Sequence, residues 1–268
     1  MKARVFYRTL LGFGIGYLFV PVFIVVAFSF NDLQGRRNVS WEGFTLRHWA
    51  DPFKLPGLSE AVLNSLTIAF LSALVSTVVG TLIALALVRY RFKGRSTTNL
   101  MLFLPMASPE VVMGSALLTL FIVAQVGRGY TTVLLAHILF NLSYAVVTVR
   151  ARIVGFDRHL EEAAMDLYAN EWQTFRRVTL PMILPGVLAA FMLAFALSFD
   201  DFVITNFNSG SLQTFPVFVY GATKRGVPPQ VNVLGTMIFG VMVIATTIYL
   251  VVQARRQKMD EAALAAGD

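Results

Sequence analysis

Six uninterrupted apolar runs, at about 9–30, 61–88, 99–124, 131–150, 182–206 and 231–253, constrain this chain more than any other feature. A helix needs about 20 apolar residues to cross bilayer hydrocarbon. Each run reaches that length with few charges inside it. In lipid the backbone must satisfy its own hydrogen bonds, so helices or closed barrels are the available solutions. An all-α membrane protein with six transmembrane helices is therefore expected. Of the 268 residues 56% are hydrophobic and 14% charged, against roughly 25% charged in a soluble domain. The length suits a single transmembrane domain over 1–268 and leaves no room for a separate nucleotide-binding domain. The first run follows Lys2, Arg4 and Arg8. It exceeds the roughly 7–15 residues of a secretory h-region and lacks a small-residue cleavage site, so it reads as a retained span.

The net charge of +7 does not point to nucleic acid, because the charges sit in short segments between the runs. There they act as topology signals. Fifteen Lys and Arg fall in the N-terminus, the 89–95 loop, the 150–177 segment and the tail, against seven in the remaining loops. The positive-inside rule places both termini in the cytoplasm. Residues 31–60, with Trp41 and Trp49, are expected to form an outer loop. Residues 207–230, rich in Gly, Ser and Pro, are expected to form an irregular one. The absence of cysteine excludes a disulfide framework and thiolate metal sites.

The segment 151–181, between the fourth and fifth runs, is polar and helical in pattern. Glu161-Glu162-Ala163-Ala164-Met165-Asp166-Leu167-Tyr168-Ala169-Asn170 opens it with helix formers and early acidic residues. Trp172 to Val178 predicts a second short helix, after which Pro181 and Pro185 return the chain toward the membrane. Two short helices make a projection suited to a groove on another protein. Glu162, Ala163 and Ala164, followed at fixed spacing by Val178 and Leu180-Pro181, resemble the Glu-Ala-Ala…Gly…Ile-x-Leu-Pro signature of binding-protein-dependent ABC importer permeases. Tyr168 stands where that signature has glycine. A bulky residue takes positive φ only with strain, so the turn is expected to shift to Asn170 or the coupling to weaken.

Phe28-Ser29-Phe30-Asn31, Arg89-Tyr90-Arg91-Phe92-Lys93-Gly94 and Leu197-Ser198-Phe199-Asp200-Asp201 extend the likeness to the spermidine/putrescine permease subfamily. That resemblance implies a type I importer fold, a distinct second permease subunit, two ATPase subunits and a periplasmic substrate-binding protein. It assigns ATPase coupling to Glu162, Ala163, Ala164, Asp166, Tyr168, Asn170, Leu180 and Pro181. ATP and Mg would be bound by the ATPases, with no cofactor in this chain.

Carboxylates in or near spans are costly and point to function by default. Glu110 lies near mid-depth of the third run, after Pro105 and Pro109, which are expected to break or kink the helix. Asp200 and Asp201 lie near the outer end of the fifth. Carboxylates at these depths suit an elongated polycation, and an aromatic face such as Tyr144 suits its methylenes or ammonium groups. Equally, Asp200 and Asp201 can cap a helix, and Glu110 can pair with a base of the partner subunit. His137, Asn141, Tyr144 and Thr148 share one face of the fourth run; such a stripe lines an aqueous path or makes interhelical hydrogen bonds. The substrate path or gate is therefore assigned to Glu110, Asn141, Tyr144, Asp200 and Asp201. Ser72, Ser76 and Gly80 form a small-residue packing face.

No phosphate loop, nucleophile elbow or His-Glu-x-x-His pair occurs, so no catalytic residue and no metal site is expected. A secondary transporter or channel would account for the spans but not for the 151–181 signature. A membrane scaffold would leave the carboxylates without a purpose. Within the importer reading, an amine-bearing amino acid, an opine-like compound, thiamine or iron is the alternative cargo.

Overall fold

The structure, a computed structural model, describes residues 2–33, 38–155, 157 and 159–265. Arg36, Arg37 and Arg158, which entered the charge count, lie outside the described residues. Among the described residues the chain is helical, with one isolated antiparallel bridge between Asn31 and Phe44. It forms two units, Met1–Pro56 with Val219–Asp268, and Gly57–Phe218.

The first unit holds α1 (Lys2–Phe28), the short α2 (Arg47–Ala50) and α12 (Pro229–Ala265). α1 packs on α12, where the missing side chain of Gly235 admits Val25. After α1 the chain winds around Asn31, which is fully buried. Its Nδ2 donates to Asn38 Oδ1 at 2.6 Å and to the Ser40 carbonyl at 2.7 Å, while its Oδ1 accepts from the Glu42 N–H at 2.7 Å. One amide side chain thus replaces the pairing that a sheet would supply. Phe30 stacks on both Phe44 and Trp49, with centroids 5.6 and 5.1 Å away.

The second unit is built on α3 (Leu58–Arg89), α6 (Tyr130–Val154) and α9 (Leu180–Asp200), packed against one another. Small residues permit the approach: a Cβ on Gly80 would fall 2.8 Å from the Cβ of Ala145. Ser72 and Ser76 are buried on the same face, as the small-residue spacing predicts. Ala84, Leu87, Val146, Val149, Ile183 and Ala190 close the core. Away from it, Leu63, Leu66, Phe70, Leu74, Val78 and Leu82 form an exposed apolar stripe along α3, the face expected toward hydrocarbon.

The remaining elements of this unit refine the sequence expectations. The third run is two helices, α4 (Arg95–Ala107) and α5 (Glu110–Val123), bent by 111°. Pro105 is accommodated inside α4, and the break falls at Ser108 and Pro109. A proline disfavours the α region for the residue before it, and Ser108 is extended at ψ 138. The fifth run also ends early: α9 stops at Asp200 and a separate α10 (Val203–Asn208) follows. α10 packs on α5, where Gly114 lets Phe207 and Ile204 approach. Residues 215–225, expected to be irregular, form α11 (Phe215–Arg225), which leads from the second unit into the first.

Four stretches, Phe6–Phe28, Leu58–Arg89, Tyr130–Val154 and Glu171–Asp200, are long and apolar enough to cross a membrane, and the bent α4/α5 pair makes a fifth if it is one span. Pro229–Ile244 in α12 is a shorter apolar helix among the described residues.

Candidate functional site

The 151–181 loop carries α7 (His159–Asp166) and α8 (Glu171–Thr174). Asp157 caps the start of α7, accepting at 3.0 Å from the His159 N–H and at 2.6 Å from its Nδ1. These bonds from His159 hold the Asp157 carboxyl below its ordinary range. In turn the Asp157 carboxylate, and then Glu162, raise His159 above its ordinary value.

α7 ends in a left-handed turn at Tyr168, φ +61. The Tyr168 N–H donates to the Met165 carbonyl at 2.9 Å and the Ala169 N–H to that of Ala164 at 3.1 Å. This pair of bonds is the Schellman closure, which usually places glycine at that position. The expected shift of the turn to Asn170 does not occur. Asn170 is extended at φ -75 and caps α8 instead, its Oδ1 accepting from the Gln173 N–H at 2.8 Å while Gln173 Oε1 accepts in return. Two carbonyl bonds closing the turn outweigh a left-handed cost of about 1–2 kcal/mol. The Tyr168 side chain meets nothing to oppose it, being 98% exposed.

Beside Tyr168, Leu167 and Trp172 are exposed, with Trp172 stacked on Phe175. Glu162, Ala163, Asp166 and Pro181 are also exposed, and Ala164 and Leu180 half-buried. Of the coupling residues assigned from the sequence, Glu162, Ala163, Ala164 and Asp166 lie on α7, Tyr168 and Asn170 in the turn before α8, and Leu180 and Pro181 at the start of α9.

The predicted second short helix is not separate. α8 runs through a π-turn, Phe175–Thr179, directly into α9, with the Leu180 N–H bonded to the Phe175 carbonyl. Pro181, which has no N–H, stands at the start of α9, directly after the wider turn. Thr179 is thereby turned inward and buried. It donates to Glu161 Oε1, which also accepts from Arg89 Nη2 at the end of α3.

A second polar assembly lies inside the bundle. Asn141 Nδ2 donates to Ser72 Oγ at 3.4 Å, and Ser72 bonds Ser198 Oγ at 3.0 Å. Ser198 meets His137 Nδ1 at 2.6 Å, while His137 Nε2 faces Thr205 Oγ1 at 2.9 Å and Asp201 Oδ2 at 3.2 Å. With the ring proton on Nε2, every group in this chain donates or accepts consistently. Asp201 also accepts from the N–H groups of Ile204 and Thr205, at 3.3 and 2.8 Å. This capping starts α10 and explains why α9 stops.

Of the residues assigned to the path, Asn141 and Asp201 are therefore buried and engaged in helix-to-helix bonds. Tyr144 is half-buried, 5.1 Å from Phe140 by ring centroids. Glu110, at the first position of α5, and Asp200 are exposed. Asn141 and Asp201 belong to one network through Ser72, Ser198 and His137, and Tyr144, like Leu197, packs on the adjoining apolar cluster that includes Phe140. Sequence reasoning passed over Arg89, Glu161, Thr179, Ser198 and Thr205, whose single polar groups acquire meaning through partners distant in the chain. No group of three or more metal-ligating side chains occurs among the described residues.

Residues 76–252 match the family described as the binding-protein-dependent transport system inner membrane component. This chain belongs to that family. It is an inner-membrane transport component, and the projecting α7–α8 loop is part of the matched region. The chain is similar to the spermidine/putrescine transport system permease protein PotC of Haemophilus influenzae, 42% identical across 82% of this chain and 86% of the relative. The putrescine transport system permease protein PotI of Escherichia coli K12 is 36% identical across 92% of this chain and 90% of its own. A bacterial ABC transporter involved in import of the acidic polysaccharide alginate shares the fold, with TM-score 0.66 at 16% identity over 95% of this chain and 96% of that one. The fold is that of a type I ABC importer permease, the expectation drawn from the signature in 151–181.

Proposed function

We propose that this chain is a permease subunit that moves a polyamine, spermidine or putrescine, inward in an ATP-driven complex. The observation that carries the cargo is the 42% identity, over 82% of this chain, with a spermidine/putrescine permease. Two exposed carboxylates, Glu110 and Asp200, supply anionic partners of the kind a desolvated polycation needs.

In this reading six spans place both termini and the α7–α8 loop in the cytoplasm. A distinct second permease completes the path, a periplasmic binding protein delivers solute, and two ATPase subunits hold ATP and Mg. The exposed Leu167, Tyr168 and Trp172 form the apolar centre of the docking surface, ringed by Glu162 and Asp166. ATP closes the ATPase pair, the loop moves with it, and the spans rock to open alternate sides. This subunit performs no bond chemistry itself.

The test is the ATPase rate of the whole complex in proteoliposomes, with binding protein and each of spermidine, putrescine, amino acids, thiamine and iron. Stimulation by a polyamine supports the proposal. Stimulation by another solute alone replaces the cargo, and solute movement by this chain without an ATPase overturns the reading.

A further inference from the structure

We propose that Arg89, Glu161 and Thr179 form a clamp that passes movement of the docking loop to α3 and α9. In it Glu161 is the positioning residue that sets how much ATP is used per solute. The proposal rests on the importer reading above.

One carboxylate oxygen joins three elements. Glu161 Oε1 accepts from Arg89 Nη2, at the last residue of α3, and from Thr179 Oγ1, at the last residue of the π-turn before α9. Arg89 Nη2 lies 3.2 Å from Thr179 Oγ1, so the triangle is closed. The side chains of Glu161 and Arg89 are 11% and 25% exposed, which shields the pair from water and salt.

Among the described residues, α7 bonds to another helix by side chains through Glu161 alone. Without that bond the loop would pull on α9 along the chain but would have no polar grip on α3. The π-turn is what makes the grip possible. An extra residue in the turn rotates Thr179 onto the face that meets Glu161, and π-turns recur at functional positions.

A cavity of about 180 Å³ adjoins the clamp, lined by Val88, Arg89, Ile153, Glu161, Thr179 and Ile183 among others. It leaves room for the charged groups to shift without overpacking the core. Glu162, the next residue, faces outward, so neighbouring carboxylates serve different tasks. Glu161 grips this chain's own bundle, and Glu162 meets the partner.

The experiment measures ATP hydrolysed per putrescine imported by the whole complex in proteoliposomes, with subunit stoichiometry checked by co-purification. Glu161→Gln and Arg89→Gln are expected to assemble and to raise ATP per solute about tenfold, within the range of coupling between sites. Arg89→Lys, which keeps the charge, is expected to restore part of the loss. So is the charge exchange of Arg89→Glu with Glu161→Arg. An unchanged ratio in assembled Glu161→Gln overturns the clamp. A parallel fall of ATPase and uptake also overturns it, since that reports only fewer folded complexes. If Glu161→Gln does not assemble, Thr179→Val, which removes one hydroxyl, is judged by the same ratio and the same two outcomes. A wild-type complex with no ATP-dependent uptake removes the importer reading itself, and is seen before any variant is made.

Discussion

Two pairs of adjacent carboxylates, Glu161 and Glu162 in α7 and Asp200 and Asp201 at the end of α9, are divided in the same way. In the α9 pair Asp201 is buried against His137 and caps α10, while Asp200 is exposed. In the α7 pair Glu161 is buried against Arg89 and Thr179, while Glu162 is exposed. The two buried members are satisfied by different means. Asp201 draws on backbone N–H groups and a histidine, which fixes a break in the helix. Glu161 draws on an arginine and a hydroxyl from two other elements, which ties a loop to a bundle. A doubled acid in a membrane protein thus need not be a doubled binding site. One member builds the structure and the other faces whatever comes from outside.

The largest effect should come from breaking the buried member at the α10 end. Asp201→Ala leaves two N–H groups and the Thr205 hydroxyl without their acceptor, and each buried donor left unsatisfied costs about 1–3 kcal/mol. Thermal unfolding of the detergent-solubilised complex should show a marked drop, with none for Asp200→Asn. Equal losses of stability in both would end the division of labour at that end.

Asp200→Asn and Glu110→Gln should act on transport instead. Each should lower uptake roughly tenfold with assembly intact, since hydrogen bonds to charged groups contribute about 1.5–3 kcal/mol. Wild-type kinetics in both would remove the exposed carboxylates from the path.

At the loop, Tyr168→Gly and Tyr168→Ala separate strain from contact. Glycine should stabilise the end of α7 by about 1 kcal/mol, because it relieves the left-handed cost. Both variants should weaken capture of the ATPase, measured by co-purification at increasing salt. If only the glycine variant loses capture, loop rigidity and not the exposed ring carries docking.

The smallest effects concern two histidines of opposite sign. Burial, and then Arg47, lower His48 from its ordinary 6.5. The folded state therefore binds the proton less well than the unfolded chain, and the Asn31 loop should lose stability as pH falls below about 6.5. His159 is raised by Asp157, so its contribution to the α7 cap is present below 6.5 and lost as pH rises through the raised value. Asp157, lowered, contributes above 3.8 and loses its part on acidification. Amide exchange corrected for intrinsic rates should show the Asn31 loop weakening as pH falls below 6.5 and the start of α7 weakening as pH rises above it.

Much of this molecule is legible without coordinates, because apolar run length and helical period are local properties. The runs located α1, α3, α6, α9 and α12, although α1 begins at Lys2 and α12 continues to Ala265, and the third and fifth runs break at Ser108 and Asp201. The signature around Glu162 falls on the segment that folds into α7 and α8. The breaks were partly hidden: Pro109 announces the first, while at the second the sequence offers helix capping by Asp200 and Asp201 as one of two readings without saying which acid turns inward. The turn stays at Tyr168 and does not shift to Asn170, because two carbonyl bonds that intrinsic cost alone does not count hold it there.

What the sequence by itself determined is the class of solvent, the helices that solvent demands, and the family to which the loop belongs. Tertiary structure decided which of two neighbouring acids turns inward. Successive residues on a helix point about 100° apart, so one of a pair meets the bundle and the other does not. Which one meets a base depends on partners as remote as Arg89 from Glu161, 72 residues away, and no local pattern carries that information.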